Sequence, residues 1–101
     1  MGRSRLDFQR ELRTLAPKAY YMKPLGNHME YPCFVYKHLA PTQIKADNMN
    51  YLTMNAYEVL YISETENEGI IEQVTTRFGN SSAGAPYIAD DLFHYPFTIH
   101  Y

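Results

Sequence analysis

Four histidines, one cysteine and eleven carboxylates are the residues of this chain best able to move protons, attack a substrate or hold a metal. Enzyme chemistry asks for a nucleophile, a base and a stabiliser of developing charge gathered in one concavity. The histidines His28, His38, His94 and His100 form no HxH or HExxH pair that would bring two imidazoles to one metal. His94 with Asp90 or Asp91 could form a carboxylate-oriented imidazole, the basis of a small-enzyme reading; the same acidic pair also reads as a turn. Glu64, Glu66, Glu68 and Glu72 resemble a metal cluster, but residues two apart on a helix point away from each other, which favours a solvated first turn. The stretch 79–84 lacks the Lys-Ser/Thr of a phosphate-binding loop and follows a helical pattern rather than a strand. Cys33 has no second cysteine to pair with and lies in the apolar string Pro32-Cys33-Phe34-Val35-Tyr36, where a buried filler is expected. The residues therefore indicate no enzyme, no cofactor and no metal.

The elements that position these residues follow from periodicity. Ser4 and Asp7 have capping-box spacing, and Phe8, Leu12 and Leu15 share one stripe, which predicts a helix over Ser4 to Ala16 ended by Pro17. Lys18 to Glu30 has no clean period and reads as a connection. Tyr31 to Leu39 is a β-branched and aromatic run, the first strand, followed by a polar loop from Pro41 to Asn50. Tyr51 to Ser63 alternates throughout, with Tyr51, Tyr57, Val59 and Tyr61 on one face and Leu52, Met54, Glu58, Leu60 and Ile62 on the other. At about 3.3 Å per residue it spans about 40 Å and overhangs a small sheet. Thr65 and Glu68 predict a second capping box ahead of the stripe Ile70, Ile71, Val74 and Phe78, with a stop at Gly79-Asn80. Residues 80–85 then read as a flexible loop, Pro86 to Ala89 as a short strand, Asp90-Asp91 as a turn and Phe93 to Tyr101 as the last strand. The order helix, strand, strand, helix, strand, strand indicates a single α+β domain over 1–101, with a mostly antiparallel sheet covered on one face.

Composition bounds the function further. The 101 residues are 46% hydrophobic and 20% charged, globular values for one domain. No apolar run reaches the roughly 20 residues of a membrane helix, and MGRSRLDFQR has no secretory core, so cytoplasmic synthesis without membrane contact is expected. Ten Tyr and five Phe exceed what a domain of this size is expected to bury, so part of that surface is expected at a partner. The net charge of −2 divides into +4 up to Lys23 and −6 beyond it. A basic end and an acidic body attract copies head to tail, the heterologous contact that closes rings, although two ordinarily solvated faces give the same count. Nucleic-acid binding through Arg3, Arg5, Arg10 and Arg13 is disfavoured by the acidic remainder.

From Tyr31 onward the sequence also resembles a known family. The blocks are Tyr31-Pro32-Cys33-Phe34-Val35-Tyr36, Ala46-Asp47-Asn48, Tyr57-Glu58-Val59, and Tyr87-Ile88-Ala89-Asp90-Asp91-Leu92-Phe93-His94 leading to Phe97-Thr98-Ile99-His100-Tyr101. They are similar to the YPC strand, ADN loop, Y-x-V strand and terminal DNL-x-H block of small tail-completion proteins of long-tailed bacteriophages, with Asp91 where that family has Asn. The resemblance implies a tail-terminator-like fold and a virion protein of the tail or neck, assembled in the host cytoplasm. It implies a homo-oligomeric, typically hexameric ring that ends the tail tube, meets the tail tube protein and the head-tail connector or stopper, and passes DNA through its lumen. Another neck ring, stopper or adaptor, is the alternative within the same class. Subunit or partner contacts are expected at Asp47, Asn48, Tyr51, Tyr57 and Tyr61 on the long strand and its approach, at Arg5, Arg10 and Arg13 on the first helix, and at Tyr101.

Overall fold

The computed structural model describes residues 4–22, 29–39 and 56–101. In chain order its elements are α1 (Arg5–Leu12), β1 (Lys18–Tyr21), β2 (Cys33–His38), β3 (Ala56–Ser63), α2 (Gly69–Arg77), β4 (Ser81–Ala83), β5 (Tyr87–Ala89) and β6 (Leu92–His100). This is an α+β fold with a mixed, largely antiparallel sheet. The predicted polar loop and residues 51–55 of the long strand lie outside the described residues.

Helix α1 starts where its cap predicts: the Ser4 hydroxyl accepts the Asp7 N–H at 3.2 Å, and Asp7 adds negative charge to the first turn. It closes at Leu12 rather than Ala16. Thr14 and Leu15 donate to Glu11 and Leu12 in tighter i to i−3 bonds of 3.1 and 3.0 Å, and Pro17 pushes its predecessor away from helical geometry.

The first correction to topology is β1, which the sequence pattern leaves as connection. Lys18–Tyr21 pairs in parallel with Cys33–Tyr36 on β2, and the Met22 N–H extends the ladder to the Tyr36 carbonyl at 2.7 Å. A parallel edge strand of four residues has too few positions to show a period, so its strand character comes from the partner. β2 and β3 then pair antiparallel, and β3 pairs antiparallel with β6, giving the order β1-β2-β3-β6-β4 with β5 also on β6.

The second correction lies at the other edge. Residues 81–83, predicted within a flexible loop, form β4 opposite residues 97–99, and β5 takes residues 92–94 of the same edge. Three residues, 84–86, stand opposite two, 95 and 96, so the edge carries one extra residue, as in a bulge. Pro96 sits there: its carbonyl accepts the Gly84 N–H at 2.9 Å, and its missing donor faces the interruption. A Cβ on Gly84 would come within 3.1 Å of the Pro96 ring, so the small residue permits the close approach. The turn from β5 to β6 is the predicted Asp90-Asp91, with both residues at positive φ, 53° and 61°, as in the two-residue hairpin turn whose twist matches its strands.

Helix α2 begins at Gly69, later than the predicted box at Thr65. Glu68 makes no side-chain cap, and Thr65 instead donates its N–H to the Ser63 hydroxyl at 3.1 Å. The entry is held from the sheet: Asn67 donates its N–H to the Tyr95 hydroxyl at 2.8 Å and its amide to the Tyr61 hydroxyl at 3.2 Å. Ile70, Val74 and Phe78 of the predicted stripe are buried.

Both helices contribute to the core that covers one face of the sheet. Phe8 stacks on Tyr57 at 4.2 Å and 9°, and lies 5.1–5.4 Å from Tyr36, Phe78 and Tyr101. The expectation that Tyr57, Tyr61 and Tyr101 face a partner is corrected here: they are only 2%, 4% and 8% exposed. Tyrosine suits this core because each ring fills space while its hydroxyl reaches a polar partner. Tyr36 donates to Gln9 at 2.6 Å and Tyr101 to Glu11 at 2.7 Å. No buried side-chain polar atom lacks a partner among the described residues.

Candidate functional site: the open face of the sheet

With Tyr57, Val59 and Tyr61 facing the helices, alternation turns Glu58, Leu60 and Ile62 to the opposite face. The register extends this face into rows. Cys33, Ile62, His94 and Tyr87 align across four strands, Tyr20, Val35, Leu60 and Pro96 form the next row, and Lys37, Glu58 and Thr98 the third. The face is concave. A cavity of about 660 Å³ has Val35, Leu60, Ile62 and Leu92 among its lining residues, with Met22, Met29 and Tyr31 also contributing. Met22 leaves β1 at φ 60° and remains 56% exposed, so a flexible apolar side chain stands at the rim.

The charges of the cavity are few and separated. Lys37 and Glu58 pair at 3.3 Å, each about half exposed. Asp90 and His94 also line the cavity. His94 does not form the carboxylate-oriented imidazole of the alternative, small-enzyme reading: its Nδ1 lies 3.0 Å from the Leu92 carbonyl, and its ring stacks on Tyr87 at 4.9 Å and 9°. Burial pushes the Tyr31 hydroxyl above its ordinary ionisation range, and the neighbouring Cys33, Asp90 and Glu64 push the same way. Burial also raises the Cys33 thiol to about 11, which keeps it protonated and fits the filler expected of it. This surface offers an apolar floor with an acidic end, suited to holding an apolar side chain beside a cation.

The residues expected at contacts divide three ways. Arg10 and Arg13 are exposed on or just beyond α1, Arg10 beside Asp7 at 3.2 Å. Arg5 is turned inward: its guanidinium lies 4.1 Å above the Tyr21 ring and donates to the Tyr36 hydroxyl at 3.3 Å, clamping α1 to the sheet. Tyr57, Tyr61 and Tyr101 belong to the core, and Asp47, Asn48 and Tyr51 lie outside the described residues. Two features were missed at the sequence level. One is the cavity, whose signal was the apolar Leu60 and Ile62 on the second face of β3, a mark of a strand with apolar surface on both sides. The other is Leu6, 61% exposed on α1.

Among the described residues no group of three His, Cys, Asp or Glu is placed to hold a metal, and no helix is long and apolar enough to cross a membrane. The fold and site define an α+β domain with helices on one face of a mixed sheet and a concave apolar surface on the other. Comparison with protein-family models, with curated proteins and with solved structures finds no match.

Proposed function

We propose that the chain is a structural subunit of a tailed-phage neck, assembling as a ring that ends the tail tube and joins it to the head-tail connector, with DNA passing through the lumen. The observation that carries this reading is the two-sided sheet. One face packs both helices, while the other presents an apolar concavity of about 660 Å³ with acidic residues at its edge, a surface that fits docking better than solvent. Three of the blocks that resemble tail-completion proteins reach this face, through Cys33 and Val35, through Glu58 and through the β5–β6 hairpin, while Tyr57 and Val59 pack in the core. Tyr31 to Tyr36 runs into β2, Tyr57 to Val59 lies on β3, and Tyr87 to His94 makes the β5–β6 hairpin. The acidic body, with a balance of −6 beyond Lys23, suits a lumen wall that does not hold phosphate.

Native mass spectrometry with negative-stain imaging of the purified chain tests the reading. A closed ring with a lumen wide enough for a duplex, and no measurable duplex binding at physiological salt, is the expected result. A chain that stays monomeric at hundreds of micromolar, or that binds duplex DNA with micromolar affinity at that salt, overturns it.

A further inference from the structure

We propose that the open-face cavity receives the outer stripe of α1 from a second copy of this chain, which rests on the ring reading above and names its two contact surfaces. Leu6, Arg10 and Arg13 recur at i, i+4 and i+7 on the side of α1 away from the core residues Phe8 and Leu12. Leu6 is 61% exposed, the Arg10 side chain 77%, and Arg13 is exposed with αR dihedrals that continue the helical path. An apolar side chain flanked by two cations is the complement of an apolar floor with an acidic end.

The dimensions agree. Leu6 and Arg13 are about 10.5 Å apart along a helix rising 1.5 Å per residue. Asp90 lies in the turn beyond Leu92, itself four residues along β6 from the row of Leu60 and Pro96, a run of about 13 Å that the helix rise and an extended arginine side chain cover together. Leu6 seated against Val35 and Leu60 therefore leaves the arginines within reach of Asp90 and of Glu64, the two carboxylates that act on Tyr31 at that end. Lys37 lies at the other end, held by Glu58.

The helix stripe and the cavity are on opposite sides of the sheet, so one molecule cannot satisfy its own contact and two molecules cannot satisfy both. The contact is heterologous, so it propagates from copy to copy and, in the ring reading, closes on itself. One stripe of a helix of about two turns gives a small area, so each contact is weak and closure supplies the avidity.

Leu6→Glu, Leu60→Glu and the double variant Arg10→Glu/Arg13→Glu test the pairing by native mass spectrometry and analytical ultracentrifugation, with folding checked by circular dichroism. Leu6, Arg10 and Arg13 are exposed, so their variants are expected to fold even if Leu60→Glu does not. Each variant alone is expected to lose the ring, with the single contact weakened about tenfold or more. Leu6→Glu mixed with Leu60→Glu is expected to form a weak dimer, visible at hundreds of micromolar and absent from either variant alone, because one supplies an intact cavity and the other an intact helix. Rings from wild type and from folded Leu6→Glu alike overturn the proposal while leaving the ring reading standing. So does a ring lost in Leu60→Glu but kept in both helix variants, since another part of the chain then fills the cavity. A monomeric wild type overturns both.

Discussion

Phe8→Ala is the substitution that most directly reports how α1 is held. Phe8 is fully buried, stacked on Tyr57 at 4.2 Å and within 5.4 Å of Tyr36, Phe78 and Tyr101. Four aromatic rings around the site cannot collapse into the space without leaving their own rotamers, so most of the cavity persists. Removal of the ring from such a site costs about 3–5 kcal/mol. The stacked contact with Tyr57 accounts for about 0.5–1.5 kcal/mol of this. A domain of this length has about 5–15 kcal/mol in total, so the variant loses a large fraction of its stability. At about 4–8 °C per kcal/mol, its melting temperature falls by at least about 12 °C. The assay is urea unfolding followed by far-ultraviolet circular dichroism, with the midpoint shifting at unchanged slope. Gln73→Ala, on the exposed side of α2, serves as a control expected within about 0.5 kcal/mol of wild type. A double-mutant cycle of Phe8→Leu with Tyr57→Leu isolates the ring pair and is expected to give about 1 kcal/mol of coupling. If Phe8→Ala costs less than about 1 kcal/mol, α1 is not docked through this stripe, and the covered-face description of the fold fails with it.

Two further outcomes follow from the same packing. Burial holds the Cys33 thiol to about 11 from an ordinary 9.0, and it raises the Tyr36 and Tyr57 hydroxyls in the same direction. The unfolded chain therefore releases these protons first as pH rises. Stability is expected to be level below about pH 9 and to fall as pH climbs through 11. Melting curves across that range check this, together with native-state resistance of Cys33 to a thiol reagent at pH 8. A melting temperature unchanged to pH 11, or Cys33 reacting at the denatured-state rate, contradicts it. At the β5–β6 turn, Asp91 stands at φ 61°. Asp91→Gly is expected to be the most stable variant and Asp91→Val the least, with about 1–2 kcal/mol between them in urea unfolding; the reverse order refutes the turn geometry.

What the sequence made legible follows from how much of each element's evidence is local. The Phe8, Leu12 and Leu15 stripe and the Ile70, Val74 and Phe78 stripe each run for about two helical turns and named the face that packs on the sheet, whereas the alternation of β3 separated its two faces without naming the buried one. β1 and β4 are four and three residues long and exist through partners more than ten residues away, so no window along the chain contains their cause. The Thr65 and Glu68 box failed for a related reason. Tyr61 and Tyr95 on the sheet bond Asn67 just before α2, and this tertiary contact displaced the local cap. The same hydroxyls explain why the tyrosine surplus was read as surface. A phenol looks amphipathic in a sequence, but Gln9, Glu11 and Asn67 let these tyrosines be buried with their polar ends satisfied.

The charge division changes meaning once it is placed on this fold. Along the chain it separates a basic start from an acidic remainder at about Lys23. In space, the described part of the basic segment is mainly α1, which lies on the core side of the sheet, with Arg10 and Arg13 outward. Glu58 and Asp90 line the cavity on the far side of that sheet. A division along the chain thus becomes a division between opposite faces, and the two cations accompany an exposed leucine while the carboxylates border an apolar cavity. Opposite charges alone would attract copies in many orientations. The pairing of Leu6 with the Val35 and Leu60 floor selects one of them, because a leucine docked elsewhere on the acidic body would stay in water while the arginines still found partners. In this reading charge sets the rate and tendency of association, and the apolar contact sets its geometry.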